Sequence, residues 1–478
     1  MDKTFQQFEI SSELLEALKL LGYEHPTPIQ QAAIPVILSG KNVVGKSQTG
    51  SGKTAAFAIP ICEQIEWNEY LPQALILEPT RELAVQVQDE IFQIGRKKRI
   101  KAPVVFGGMP VDKQAVTLKQ RNHIIIGTPG RVIDHMKRGN LNLEQVKILV
   151  IDEADHMLDM GFLEDVEYII KNTGGETKPQ ILLFSATLEE QIQNLVDSYM
   201  DSPEYISIES DSVAAEGIEQ TAYVIKQDEK YQIFMDLLMQ ENPGDAMIFC
   251  DTREMCNTLF QKMRRKKIRC GMLHGGMEQK DRLYAISDFR KGIYHYLITT
   301  DVAARGIDFP GITHVFNYDF PTNKENYVHR IGRTARNGQR GKAISLLSES
   351  ELHYKKAVEA YIGKEIPVQE VPEEVLVKES ERNFLKRQKE KVILKKQKGE
   401  VFETTIKKLS IGGGKKSKMR AGDIVGAICA IPGITQEDIG VIDVRDSLTY
   451  VEILNGRGKE VLEALQKQPI KGKLRKVK

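Results

Sequence analysis

The chain lacks a long apolar run, a paired set of cysteines and an excess of charge of one sign. Each absence excludes a class. No stretch of the 478 residues approaches the ~18–20 uninterrupted apolar residues of a membrane span. Met1–Ile10 mix polar and acidic residues ahead of any apolar run, unlike a secretory leader. The cysteines, Cys62, Cys250, Cys256, Cys270 and Cys429, are odd in number, scattered and free of any Cys-x-x-Cys. That argues against a disulfide framework and a zinc site, and fits a reducing cytosol, so a cytoplasmic location is expected. Lys plus Arg number 67 against 66 Asp plus Glu, a net charge of +1, which on its face speaks against a nucleic-acid partner. What is present is 28% charged and 41% apolar residues, which excludes a disordered or collagen-like chain. The length suggests about three domains.

Resolved along the chain, the charge is uneven. Residues 378–478 hold 24 basic and 13 acidic residues, an excess of +11 that leaves −10 for everything before. An acidic body with a basic tail points to a tethered nucleic-acid contact. In the body, short and mostly unalternated apolar runs at Ala74–Leu77, Val104–Phe106, Ile124–Ile126, Ile148–Ile151 and Ile181–Phe184 predict strands buried on both faces. Such strands belong to a helix-covered parallel sheet. After the polar, weakly patterned stretch Asp201–Glu216 the alternation restarts at Ala222–Ile225, Ala246–Phe249, Tyr296–Ile298, Val315–Phe316 and Ala343–Leu347. Two consecutive α/β blocks are expected, over 1–207 and 218–367. Residues 368–402, rich in Lys and Glu, read as an exposed charged linker with partial helix. The last block, 403–478, reads β-α-β-β-α-β, ending in a strand at Leu474–Val477.

The segment Ser47-Gln48-Thr49-Gly50-Ser51-Gly52-Lys53-Thr54 follows the short run Asn42–Val44 and opens a helical stretch. Its glycines let backbone N–H groups turn inward on phosphate oxygens, with a helix N-terminus behind them. Lys53 would reach the β and γ phosphates, and the Thr54 hydroxyl would hold Mg²⁺. Ser47 stands where the P-loop pattern has its first glycine. Asp152-Glu153-Ala154-Asp155 follows the apolar run Ile148–Ile151, placing carboxylates at a strand's C-terminal end, where open α/β sheets bind ligands. Asp152 suits Mg²⁺, and Glu153 suits activation of an attacking water. Arg333 and Arg336, three apart in Tyr327–Arg336, would share a face of a helical turn.

The pair of motifs, with Asp152–Asp155 spelling D-E-A-D, resembles the DEAD-box ATP-dependent RNA helicases. The likeness implies two tandem RecA-like parallel-sheet domains and an RNA-dependent ATPase that uses ATP and Mg²⁺. Phe5 and Gly22–Gln30, with Tyr23, Thr27 and Gln30 among them, resemble the family's adenine-recognising segment. Pro79-Thr80-Arg81, Gly108 and Thr128, Gly130 and Arg131 resemble its RNA-backbone contacts, as do Thr299 and Thr300 in the second block. Ser185 and Thr187 resemble the segment that bonds Asp155 and links ATP chemistry to strand separation; His329 is implied in the same coupling. Gly306 and Asp308 would meet the nucleotide, the latter at its ribose. Arg333 and Arg336 would reach the γ-phosphate, with Glu153 and Lys53 completing the catalytic set. Ala335 stands where the family more often has glycine, with little expected consequence.

The last block has the element order of an RNA-recognition module, in which third-strand aromatics stack bases. Leu448–Ile453 keeps only part of that pattern, through Tyr450. Lys407, Lys415, Lys416, Lys418 and Arg420 offer cations, four of them after the Gly412–Gly414 loop, expected to be flexible. Gly422–Gly426 and Asp438–Ile442 resemble the C-terminal domain of the DbpA-type bacterial helicases. That likeness implies remodelling of large-subunit (23S) ribosomal RNA, gripped at a hairpin in a pre-50S particle, by a monomer. An ATP-controlled RNA clamp or annealing chaperone is the alternative. A binding protein with a decayed ATPase is disfavoured by Lys53, Glu153, Arg333 and Arg336. If the basic tail grips phosphates, RNA affinity falls with salt more steeply for the full chain than for one ending at Val401. Equal slopes in a binding titration would show that the tail makes few phosphate contacts.

Overall fold

The computed structural model describes residues 4–47, 50–208, 217–309, 311–335, 339–371, 374–395 and 406–478. Apolar tetrapeptides with no polar position cannot sit at a surface, and they form the centre of the first sheet. Its strands are β1 (Val43–Lys46), β2 (Ala74–Leu77), β3 (Val104–Val105), β4 (Ile124–Gly127), β5 (Ile148–Ile151), β6 (Gln180–Ser185) and β7 (Glu204–Ser207). They lie in the order β3-β4-β2-β5-β6-β1-β7, and all pairs are parallel. Successive residues of each strand divide between two cores. Ile76, Ile126 and Val150 pack on one face, and Leu75, Ile125 and Leu149 on the other. Each such side chain is fully buried, worth about 1.5–3 kcal/mol.

The second sheet repeats the plan with β8 (Ile218–Val224), β9 (Ala246–Phe249), β10 (Cys270–Leu273), β11 (Tyr296–Thr299), β12 (His314–Asn317) and β13 (Gly341–Leu347). Its order is β10-β11-β9-β12-β13-β8, again parallel throughout. The third is antiparallel: β14 (Lys407–Gly412), β15 (Ile439–Val444) and β16 (Leu448–Ile453) in the order β14-β16-β15. Ile424 and Ile428 of helix Ala421–Cys429, and Val461 and Leu465 of helix Gly458–Leu465, cover one of its faces.

Five features differ from the sequence reading. The polar stretch after Asp201 contains β7, an edge strand beside β1 whose residues are largely exposed, hence its polar pattern. The strand Cys270–Leu273 was not anticipated because Gly271 interrupts its apolar run. A Cβ there would run into the Tyr294 ring laid across the strand. The expected final strand is reduced to a bridge between Ile411 and Val477, flanked by backbone bonds of Ser410 with Lys478. The charged linker carries a helix, Glu374–Lys389, and its Phe384 is fully buried rather than exposed.

The fifth is Ala335, whose φ is +55°. That left-handed conformation costs a residue with a Cβ about 1–2 kcal/mol and glycine almost nothing. The alanine is therefore not neutral. Ala335→Gly should raise the stability of the second domain by about 1 kcal/mol, seen as a higher urea midpoint. A lower midpoint would contradict the strain.

Candidate nucleotide and RNA site

In a parallel sheet every loop that leaves a strand's C-terminal end opens at the same edge. The P-loop leaves β1, Asp152–Asp155 leaves β5, and Ser185–Thr187 leaves β6; these three strands are consecutive in the order β5-β6-β1. Lys53 begins helix Lys53–Gln64 and is buried, its ammonium 4.0 Å from a Glu153 oxygen. Burial alone would depress its pKa, but Glu153, Asp152, Asp155 and Glu78 outweigh this and raise it. Asp152 accepts from the Glu153 N–H at 2.9 Å. Burial, then the charges of Glu153 and Asp155, push its carboxyl up to about 6 against the pull of Lys53. Glu153 has φ +50°, a strained setting of the kind that collects at functional sites. Its other oxygen lies 2.7 Å from His156 Nδ1.

Glu78, at the end of β2, was not singled out by any motif. It is fully buried, neither oxygen has a hydrogen-bond partner, and burial with Asp152 and Glu153 raises its pKa well above the usual range. One ammonium among four carboxylates, one of them orphaned, leaves excess negative charge in a closed space. Oxygen donors with unneutralised charge fit a hard divalent cation, with Asp152 and the half-buried Thr54 beside it. Gln30 is buried and braces the loop: its side chain accepts from Thr27 N (2.9 Å) and donates to Gly52 O (3.1 Å). A Cβ on Gly52 would come within 2.5 Å of that amide. Ser47 meets Ser51 hydroxyl to hydroxyl at 3.0 Å, while Gly50 is exposed. Phe5 packs edge-on to Tyr23, whose hydroxyl donates to Glu90. Gln48 and Thr49 lie outside the described residues.

Asp155 ties two strand ends together. Its backbone N–H donates to Ser185 Oγ (3.2 Å), and its carboxylate accepts from Ala186 N (3.1 Å) and Thr187 N (3.3 Å). The remaining motifs leave β2, β3 and β4, the other consecutive trio, at the same edge. Thr80 caps helix Arg81–Ile94 through Leu83 N, after the buried Pro79. Arg81 lies against Gly107 and Gly108. Arg131 donates to Met109 O (3.0 Å) and Gln114 Oε1 (3.1 Å), and Thr128 precedes the helix that holds exposed Gly130. The nucleotide motifs thus occupy one half of a sheet edge and the expected RNA contacts the other.

In the second domain helix Lys324–Ile331 stops at Gly332. Arg333 therefore lies in the turn beyond it and not on a helical face. Arg336 lies outside the described residues. Arg333 is buried and donates to His329 O (3.1 Å) and Ile307 O (2.9 Å), beside Gly306 and Asp308. Exposed His329 sits in the last turn of the helix. Thr299 ends β11, and Thr300 occupies the N-cap position of the short helix Asp301–Ala304. Arg330, passed over by the sequence reading, is 1% exposed. It binds Asp301 through two bonds (2.5 and 2.7 Å), Asp251 (3.0 Å) and the Asp319 carbonyl (2.6 Å). It thereby locks the ends of β11, β9 and β12, three adjacent strands.

In the C-terminal domain the glycine loop is tied down rather than free. Gly413 N donates to Ser447 O (3.0 Å), Lys415 N to Arg445 O (2.8 Å) and Lys416 N to Asp446 O (2.9 Å). The side chains of Lys415, Lys416, Lys418 and Arg420 are exposed, as is that of Lys407. Tyr450 projects from the sheet face away from the core, between Lys408 (5.5 Å) and Arg445 (4.8 Å). On that face Glu452 is buried against Arg96, 3.4 Å away.

A P-loop and acidic strand end on one parallel sheet, followed by a second such sheet, define the tandem RecA-like ATPases. Three family models match: DEAD/DEAH box helicase over residues 27–195, helicase conserved C-terminal domain over 229–338, and DbpA RNA binding domain over 408–478. The ATP-dependent RNA helicase DbpA of Bacillus subtilis is 48% identical over 99% of this chain and 98% of its own. S. cerevisiae Dbp5 bound to RNA and ADP BeF3 superposes with a TM-score of 0.70 at 31% identity, over 81% of this chain and 100% of that one. Mss116p bound to ssRNA and AMP-PNP gives 0.69 at 28%, over 81% and 82%. The chain belongs to the DbpA-type DEAD-box ATP-dependent RNA helicases. It binds ATP and RNA and is an RNA-dependent ATPase.

The raised Asp152 carboxyl has a consequence for the free protein. A carboxyl whose folded pKa exceeds its unfolded value costs stability once pH rises through both. Between about pH 4 and 6 the unliganded first domain should lose stability from this group. Asp152→Asn should then stabilise the domain at neutral pH by about 1–3 kcal/mol, seen as a higher thermal midpoint. A lowered midpoint would show that the charge is compensated.

Proposed function

We propose that this helicase remodels large-subunit (23S) ribosomal RNA during ribosome assembly, delivered to a hairpin of the pre-50S particle by its C-terminal domain. The observation that carries this is the match to the DbpA RNA binding domain over 408–478, whose glycine loop presents Lys415, Lys416, Lys418 and Arg420 as exposed cations. We further assign a cytoplasmic location and a monomer; among the described residues no helix is long and apolar enough to cross a membrane.

The residue roles follow from charge and placement. Lys53 neutralises the β and γ phosphates from within a buried, water-poor pocket, where one cation acts strongly. Asp152 and Thr54 would hold Mg²⁺, which when bound neutralises charge on the phosphates. Glu153, held between Lys53 and His156, takes the proton of the attacking water. Arg333 and Arg336 stabilise the charge that develops on the γ-phosphate, a contribution of roughly 10³–10⁵ in rate for an arginine finger. The P-loop residues Ser47–Thr54, with Phe5, Tyr23, Thr27, Gln30, Gly306 and Asp308, hold the nucleotide. Asp155, Ser185, Thr187 and His329 carry the state of the nucleotide to the RNA contacts. Those are Pro79, Thr80, Arg81, Gly108, Thr128, Gly130 and Arg131 in the first domain, and Thr299 and Thr300 in the second. Lys407, Lys415, Lys416, Lys418, Arg420 and Tyr450 serve the tail.

Glu153→Gln should cut RNA-stimulated ATP hydrolysis by roughly 10²–10⁴, and Lys53→Ala should abolish it; unchanged turnover in either would refute these roles. Replacing Lys415, Lys416 and Lys418 by Ala should remove the preference of ATPase stimulation for the ribosomal hairpin over arbitrary single-stranded RNA. A retained preference would refute the targeting. Release of a labelled duplex under ATP separates a helicase from a clamp or annealing chaperone.

A further inference from the structure

The nucleotide pocket uses Lys53, Asp152 and Glu153 but leaves Glu78 without a task. Strand alternation decides where its side chain points. Ile76 of β2 and Val150 of β5 pack in the same core as Phe57 and Ile59 of helix Lys53–Gln64. The two strands pair in parallel, Ile76 with Val150 and Leu77 with Ile151, and Asp152 N–H extends the ladder by donating to Leu77 O (3.2 Å). On the other side Glu78 N–H donates to Gly127 O of β4 (2.9 Å), which holds its backbone in line with the strand. Two residues beyond Ile76 and Val150, Glu78 and Asp152 therefore project side by side to the face covered by that helix. The helix begins at Lys53. The charged neighbours of Glu78 are accordingly Asp152, Glu153 and Lys53.

Glu78 is 0% exposed, and among the described residues neither of its oxygens has a hydrogen-bond partner. A buried polar group in that state is costly and calls for a partner. The ammonium does not supply it: among the described residues Lys53 pairs with Glu153, at 4.0 Å, and not with Glu78. Phosphate oxygens are acceptors and offer no hydrogen to a carboxylate. Water carried by a metal ion does, since Mg²⁺ is bound through one or two carboxylates and keeps several of its waters. We propose that Glu78 is a positioning residue for the metal, its carboxyl accepting hydrogen bonds from water on the Mg²⁺ that Asp152 and Thr54 would hold. It thereby sets how strongly metal and nucleotide bind together. The proposal rests on the metal-binding reading of Asp152 and Thr54 given above. Glu153, engaged by Lys53 and His156, keeps its separate role toward the attacking water.

The test uses the full chain and needs no turnover. Binding of a fluorescent ADP analogue is followed while Mg²⁺ is titrated, and again in EDTA. Glu78→Gln preserves size but replaces one acceptor oxygen by a donor, and should raise the Mg²⁺ concentration at half-effect about ten-fold or more. Binding in EDTA should not weaken. Glu78→Asp, which keeps both acceptors, should shift the Mg²⁺ requirement less than Glu78→Gln, and the thermal midpoint of the free protein guards against loss of folding. An unchanged Mg²⁺ requirement in Glu78→Gln would overturn the proposal. Equal weakening with and without metal, in folded Gln and Asp variants alike, would also overturn it and make Glu78 a brace for Lys53. Asp152→Asn is the control: a Mg²⁺ requirement unmoved by that change would instead overturn the metal site beneath the proposal.

Discussion

One ammonium, that of Lys53, stands against four carboxylates in the first domain, and the balance is left unfinished. Burying an unpaired charge is expensive, and proteins usually pair it or neutralise it. Here Glu78 has no hydrogen-bond partner and Asp152 is pushed up to about 6. Both are symptoms of negative charge held in place by the parallel sheet behind it. The sheet can sustain this because its core strands are fully buried on both faces and do not depend on the edge for stability. On the roles proposed above, that excess would favour a nucleotide that brings a divalent cation, with its phosphates beside Lys53. Pocket and ligand complete each other's charge.

The second domain treats a similar collection of acids in the opposite way. Arg330, itself almost completely buried, meets both carboxylate oxygens of Asp301 and one of the more exposed Asp251. Such a node adds little net stability over apolar packing, but it dictates geometry at the ends of three strands. Since Asp301 begins the helix that Thr300 precedes, and Arg330 precedes Arg333 by three residues, the expected RNA and nucleotide contacts share one rigid support. In the first domain Asp155 has the corresponding place: one carboxylate accepts from the Ser185–Thr187 turn while its neighbours meet the nucleotide pocket. That link joins the ends of β5 and β6, both in the half of the edge that carries the nucleotide motifs.

Most of this was legible in the sequence because parallel-sheet strands are short, apolar and unalternated, and because chemistry gathers where they end. Ala74–Leu77, Ile148–Ile151 and Ala246–Phe249 coincide with strands residue for residue. What escaped reading depends on partners distant in sequence. Glu78 looks like any acidic residue before a proline until burial removes its water. Arg330 looks like one cation among several until Asp301, Asp251 and Asp319 converge on it. Phe384 is a lone aromatic in a charged stretch, and only the Tyr296 ring, far back along the chain, makes it core. The glycine loop at 412–414 reads as loose because its hydrogen bonds go to the β15–β16 turn, which no local pattern announces.

The same distinction revises the charge argument. Net charge near zero cancels −10 against +11, but the basic excess is not all available to RNA. Arg387 and Lys395 close helix ends and an ion pair within the second domain. Lys471 is paired with Asp423, and Arg457 donates to Gly433 O. Cations that satisfy protein carbonyls still repel other cations, yet they cannot wrap a phosphate without first breaking those bonds. What remains most open to a polyanion is the short exposed run Lys415, Lys416, Lys418 and Arg420 on its braced loop. A rigid cationic edge loses little conformational entropy on binding and holds its charges at fixed spacing, conditions that favour one RNA shape over a generic chain of phosphates. On the targeting proposed above, selectivity in the tail would come from bracing a few lysines rather than from how many the tail contains.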